Sequence, residues 1–157
     1  MALRSLAFNV LIVSASAGLA AGALPAYAHL GGPYASVEAD RAHMAASLKS
    51  TSAVTHTLHT LTLANGDVVK EYTREDGTVF AVTWRGPGRP DLRQLLGDHF
   101  QTLQADNAGR AGPRLRRPMA VNRTDFIVQT GGHSGAFWGA AILPQMEPAG
   151  FSASDLK

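Results

Sequence analysis

Residues 56–84 read HTLHTLTLANGDVVKEYTREDGTVFAVTW, and the fold follows from this run. Three β-rich segments, His56 to Leu63, Val68 to Arg74 and Thr78 to Trp84, are divided by Asn65-Gly66 and Asp76-Gly77. Both dipeptides favour the positive φ angles that a tight turn needs, so both are strong hairpin signals. The run is expected to form an antiparallel meander.

Working outward, Gly86-Pro87-Gly88 stops the third strand, and a helix is expected from Asp91. Pro90 lies just ahead of it, and Gln94 is spaced for a capping-box contact. Leu92, Leu95, Leu96, His99, Phe100 and Leu103 share one face of that helix, opposite Arg93, Gln94, Asp98, Gln101 and Gln104. Upstream, Ser36 to Leu48 reads as a short helix with Ser36 as N-cap and Glu38 and Asp40 in its first turn, where the helix dipole favours acids. Downstream, Asp125 to Thr130 and Ala136 to Leu143 read as two more strands, joined through Gly131-Gly132-His133-Ser134-Gly135. The expected architecture is α+β: an antiparallel β-sheet of about five strands with the amphipathic Asp91 helix packed on one face. Its expected core contains Leu61, Leu63, Val69, Tyr72, Phe80, Val82, Leu92, Leu95, Leu96, Phe100, Leu103, Phe126, Val128 and Ile142.

The chain has 157 residues, enough for one ordinary domain. It has no cysteine, which excludes disulfides, thiolate metal sites and cysteine nucleophiles. Residues 1–28 read as a signal peptide. Arg4 supplies the positive end, Leu6 to Ala23 carries no charge, and Ala26-Tyr27-Ala28 offers a small-x-small cleavage site. Residues 29–157 are then a single α+β domain, exported by the general secretory route to the periplasm or the outside, and not integral to a membrane after cleavage. An Arg/Gly/Pro-rich loop spans 109–123, where Arg110, Arg114, Arg116, Arg117 and Arg123 occur without an acid. It is a loop by its Gly109, Gly112, Pro113 and Pro118, and a contact for an anionic envelope surface by its charge. A net charge of +2 gives no support to nucleic acid as a partner.

The run from Asn65-Gly66 through Glu71-Tyr72, Gly77, Val79-Phe80, Trp84 and Gly86-Pro87 resembles the domain of unknown function 2844 family of exported bacterial proteins. So do Pro90-Asp91-Leu92, Leu95-Leu96-Gly97, Phe100, Gly131-Gly132-His133 and Leu143-Pro144. The likeness runs from Leu30-Gly31-Gly32 to Pro148-Ala149-Gly150, with departures at His99 and around Ser134-Gly135. It implies an exported protein without an assigned activity and carries over no catalytic residue.

Individual residues add little chemistry. Gly132-His133-Ser134-Gly135 superficially suggests a serine hydrolase, but position 136 is Ala and strand-like Phe137-Trp138 follows, where a nucleophile elbow needs Gly and a helix. His56 and His59, three apart on a strand, point to opposite faces. His29 would become the new N-terminus after cleavage, where amine and imidazole together chelate copper if His133 or His99 also approaches. Glu71 has two placements. Two-residue turns set it across from Thr60 and Val82, on the face of Val69, Phe80 and Trp84; a three-residue Asp76 loop with a bulge puts it with Val79 and Ala81 instead. In the first placement it needs a partner, with Arg85, Arg89 or a backbone amide in reach and no second carboxylate nearby.

Trp84 ends its strand beside Gly86, where it is expected to be only partly covered. Phe137 and Trp138 must point to opposite faces. The sequence therefore reads as a non-catalytic interaction module for a partner protein or envelope component, with Glu71, Trp84, His133 and Trp138 as the binding candidates. The alternatives are a small-ligand carrier with a pocket between sheet and helix, and a small exported enzyme.

Overall fold

The computed structural model describes residues 29–109 and 118–156. Residues 1–28, expected to be a signal peptide, and positions 110–117 of the expected Arg-rich loop lie outside the described residues. The elements in chain order are helix α1 (Tyr34–His43), strands β1 (Ser47–Ser52), β2 (Thr57–Thr62), β3 (Val68–Thr73) and β4 (Val79–Gly86), helices α2 (Leu92–Leu96) and α3 (His99–Asn107), then strands β5 (Ala120–Asn122), β6 (Ile127–His133) and β7 (Ala136–Ile142). The strands form one antiparallel sheet in the order β1-β2-β3-β4-β7-β6-β5. It has seven strands rather than about five. β1 escaped notice because SLKSTS is an exposed edge strand with only Leu48 partly covered, so no apolar alternation marks it.

Both meander turns are one residue longer than their dipeptides suggest. The Leu63 N–H donates to the Asp67 carbonyl at 2.9 Å and the Arg74 N–H to the Thr78 carbonyl at 3.0 Å, closing the loops 64–66 and 75–77. Gly66 and Gly77 sit at φ +89° and +82°, where a side chain would be strained. The first longer loop moves the β2–β3 register, so Glu71 stands opposite His59 and not Thr60. The second would have flipped the β3–β4 parity as well. A bulge cancels it: Thr73 pairs with Val79 and Tyr72 with Ala81, which leaves Phe80 as the extra residue. Glu71 therefore does face Val82, with Val69 facing Trp84, while Phe80 and Ala81 turn to the opposite side of the sheet.

The helices also differ from expectation. α1 begins two residues before Ser36, whose buried hydroxyl donates back to the Pro33 carbonyl from inside the first turn. It ends at His43 because Ala45 takes φ +48° and the chain leaves as β1. Asp91 does cap α2, accepting from the N–H groups of Arg93 at 2.9 Å and Gln94 at 3.3 Å. The single Asp91 helix is in fact two. Gly97, at φ +53°, breaks it, and an added Cβ there would lie 2.5 Å from the His29 side chain.

One buried cluster joins Val37, Leu95, Leu96 and Leu103 of the helices to Leu61, Val69, Val82, Trp84 and Val128 of the sheet. A second, on the other face, joins Tyr72, Phe80 and Ile142 to Phe151 of the C-terminal segment, with Met146 and Leu156 packed against it. That segment covers only one end of its face.

Candidate functional site

Glu71 is buried to 2% exposure and Asp40 to 0%. Their side chains meet between α1 and β3, placed to share a hydrogen bond, with Asp40 Oδ2 and Glu71 Oε2 both buried and without another donor. Two carboxyl groups can do this only if one keeps a proton, since an ionised carboxylate accepts and cannot donate. Burial, the adjacent Asp40 charge and that hydrogen bond together hold the Glu71 carboxyl well above its ordinary range. The α2 side chain of Gln94 donates its Nε2 to Asp40 Oδ1 at 2.5 Å, while Glu71 Oε2 meets no donor. Glu71 thus has another acid as its partner and neither arginine; the residue placed opposite it is Asp40, which the sequence assigned to the first turn of α1 as a complement to the helix dipole.

Beside this pair on the same face lies His59. It is hydrogen-bonded through Nδ1 to Ser50 Oγ at 2.8 Å and through Nε2 to Thr73 Oγ1 at 2.9 Å. The Tyr34 ring stands 5.1 Å from it. Burial pushes the His59 pKa down, partly offset by Glu38. With both nitrogens engaged, this imidazole has no lone pair for a metal. His99 stacks on Phe126 at 4.8 Å, and burial lowers its pKa against the opposing pull of Asp125 and Asp98. Among the described residues no three or more acids and histidines stand together as a metal-holding group.

A cavity of about 220 Å³ opens at the same end of the sheet, lined among others by Met44, Leu63, Asp67, Val69, Trp84 and Gln94. Asp67 closes its rim, accepting from the Gly88 N–H and from Asn65 Nδ2, each at 2.7 Å. Neither Asp40 nor Glu71 lines it. The acid pair ties helix to sheet and is sealed from any substrate, so it has the proton but not the access of a general acid.

The opposite face is a different surface. Two cross-strand rows run over it beyond the reach of the C-terminal segment. The first is Lys49, Thr60, Lys70, Thr83, Ala140, Gln129 and Ala120; the second is Ser47, Thr62, Val68, Arg85, Trp138 and Gly131. Neither row holds an acidic residue. Trp138 is 48% exposed. Its indole rests on the bare Cα of Gly131 in the next strand, where an added Cβ would lie 2.6 Å from Cζ2.

The four binding candidates are therefore not one site. Glu71 and Trp84 share the helix-side face, and Trp84, at 5% exposure, is buried there and not partly open. Its ring fills the gap over Gly139, where an added Cβ would come within 2.0 Å. Trp138 lies on the other face. His133 is exposed at the tip of the β6–β7 hairpin, its Nδ1 3.0 Å from the Ser134 carbonyl and not directed to the hydroxyl. Asp40, Gln94 and the basic row were missed. Only strand alternation, applied to Lys49, Lys70 and Arg85 with the full sheet order in hand, would have found the last.

Residues 26–156 match the family described as Protein of unknown function (DUF2844). No curated protein and no solved structure matches the chain. The chain belongs to that family, whose description assigns no activity.

Proposed function

We propose that this chain is an exported, non-catalytic interaction module that holds a cell-envelope component against the open face of its sheet. One observation carries the reading: Trp138 lies 48% exposed on a face whose open rows contain Lys49, Lys70 and Arg85 and no acid. Exposed aromatic anchors beside cations are where binding energy concentrates. The carboxyl pair, by contrast, is sealed under α1, which favours a structural role for it.

A small-ligand carrier is the second reading, and the cavity beside Gln94 is what favours it. At about 220 Å³ it is smaller than the roughly 300–1,000 Å³ of ordinary ligand pockets. The open face is the better candidate.

Export is testable by mass: the protein recovered outside the cytoplasm should begin at His29, and full-length chain retained in membranes would overturn the signal-peptide assignment. Binding is testable by co-sedimentation of the purified protein with cell-envelope preparations. Trp138→Ala should lower the bound fraction about tenfold, while the thermal melt of the free protein moves by only a few degrees. Undiminished sedimentation of the variant would remove this face from the function.

A further inference from the structure

We infer that the component held on the open face is an anionic polysaccharide, its sugar ring stacked on Trp138 and its acid groups paired with Lys49, Lys70 and Arg85. This rests on the interaction-module reading and names the partner's chemistry.

Charge comes first. Lys49 and Lys70 occupy one cross-strand row, separated by Thr60, which places them about 10 Å apart at ordinary strand spacing. Arg85 follows in the neighbouring row, directly opposite Trp138. With no carboxylate in either row, the face repels cations and attracts a polyanion along its length. Repeated negative charge suits such a row better than a single small anion does.

The groups between the charges are polar and short. Thr60, Thr62, Thr83 and Gln129 alternate onto the same face. Their hydroxyl and amide groups both donate and accept, which matches the hydroxyls of a sugar chain.

The indole decides between a glycan and a membrane. A membrane anchor projects its ring away from the protein into the lipid headgroups. Trp138 instead lies against Gly131, close enough that even a methyl group there would collide with it. A ring laid on a sheet suits stacking by a flat partner and buries little in a bilayer. A folded protein partner would bring an apolar core to the centre of its interface, and these two rows offer threonine and lysine around one indole.

The probe is polygalacturonate, a uniform polymer of acidic sugars, with uncharged dextran and phosphatidylglycerol vesicles as comparisons. The purified protein should bind polygalacturonate saturably, with a change in tryptophan emission that Trp138→Ala abolishes. Lys70→Gln combined with Arg85→Gln should weaken binding about tenfold or more, as should raising salt from about 20 mM to about 300 mM. Dextran should bind far more weakly. Absence of saturable binding to polygalacturonate at low salt would overturn the inference, as would equal binding to dextran. Vesicle binding that matches or exceeds polymer binding would replace the glycan with a lipid surface. If polygalacturonate fails while Trp138→Ala still abolishes envelope co-sedimentation, the partner class is wrong and the module reading stands. If neither responds, both fall.

Discussion

Replacing Trp84 by Ala should cost about 3–5 kcal/mol of stability, the usual range for deleting a buried aromatic ring. The thermal melt should fall by 10 °C or more at that cost. Trp84 pairs with Val69 on one side and Gly139 on the other, is 5% exposed, and belongs to the cluster that unites the helices with the sheet. Its ring occupies the space that Gly139 leaves open. Removing it enlarges the existing cavity, which Trp84 lines together with Met44 and Leu63. Gly139→Ala attacks the same contact from below: the new methyl must displace the ring, at about 1–3 kcal/mol. Trp138→Ala is the contrast, because its ring is half in solvent and its loss should change stability by no more than about 1 kcal/mol. A chaotrope melt of the three variants separates the roles. If Trp138→Ala proves the more destabilising of the two tryptophan variants, the assignment of one indole to the core and the other to a surface site is reversed.

The two tryptophans also show how far sequence pattern reaches. Alternation along β7 is local, so Phe137 and Trp138 could be set on opposite faces without a structure, and they are: Phe137 receives the Arg89 guanidinium 4.6 Å above its ring, while Trp138 takes the open side. The depth of Trp84 is not local. It depends on Gly139, which is 55 positions away in the chain and has no side chain to advertise the contact. The hairpins were legible for the local reason, since Gly66 and Gly77 are needed where φ turns positive. Loop lengths were not, and the parity of Glu71 came out with Val82 only because the longer Asp76 loop and the Phe80 bulge offset one another. β1 and β5 were invisible for want of apolar alternation. The break at Gly97 was hidden because Leu92 to Leu103 keeps a helical period across it. Asp40 shows the limit most clearly. On its own helix it is one acid among polar neighbours, and only the docking of α1 onto β3 makes it the partner of Glu71.

That partnership sets the pH dependence of the fold. An acid whose pKa is higher in the folded chain than in the unfolded one binds its proton more tightly when folded, so protons stabilise the fold. Burial and Asp40 raise Glu71 well above the ordinary value of 4.5. Its contribution is therefore complete below about that pH and is lost as pH climbs through the raised value. The two groups titrate as a pair, so the loss belongs to the removal of their shared proton. His59 and His99 work in the other direction. Burial lowers both from 6.5, so the stability they contribute is present above that value and is lost as pH falls through their lowered folded values. A melt of the parent protein alone would mix these effects, and a difference against Glu71→Gln isolates the carboxyl pair. Glutamine has the shape of a protonated glutamate, and its amide can donate to Asp40 as the carboxylic acid does. At pH 5 the variant and the parent should melt within about 2 °C of one another, a difference of about 0.5 kcal/mol. At pH 8 to 9 the variant should be the more stable by about 1–3 kcal/mol, because it has no buried charge to leave unsatisfied or repelled by Asp40. Melting curves at half-unit steps between pH 5 and 9 give the test. A gap that widens with pH supports a shared proton between α1 and β3, and Asp40→Asn should reproduce much of it through the same contact. Parallel curves for parent and Glu71→Gln would mean that the pair keeps the same protonation whether folded or unfolded, and α1 would then be held to the sheet by Val37 and its apolar neighbours alone.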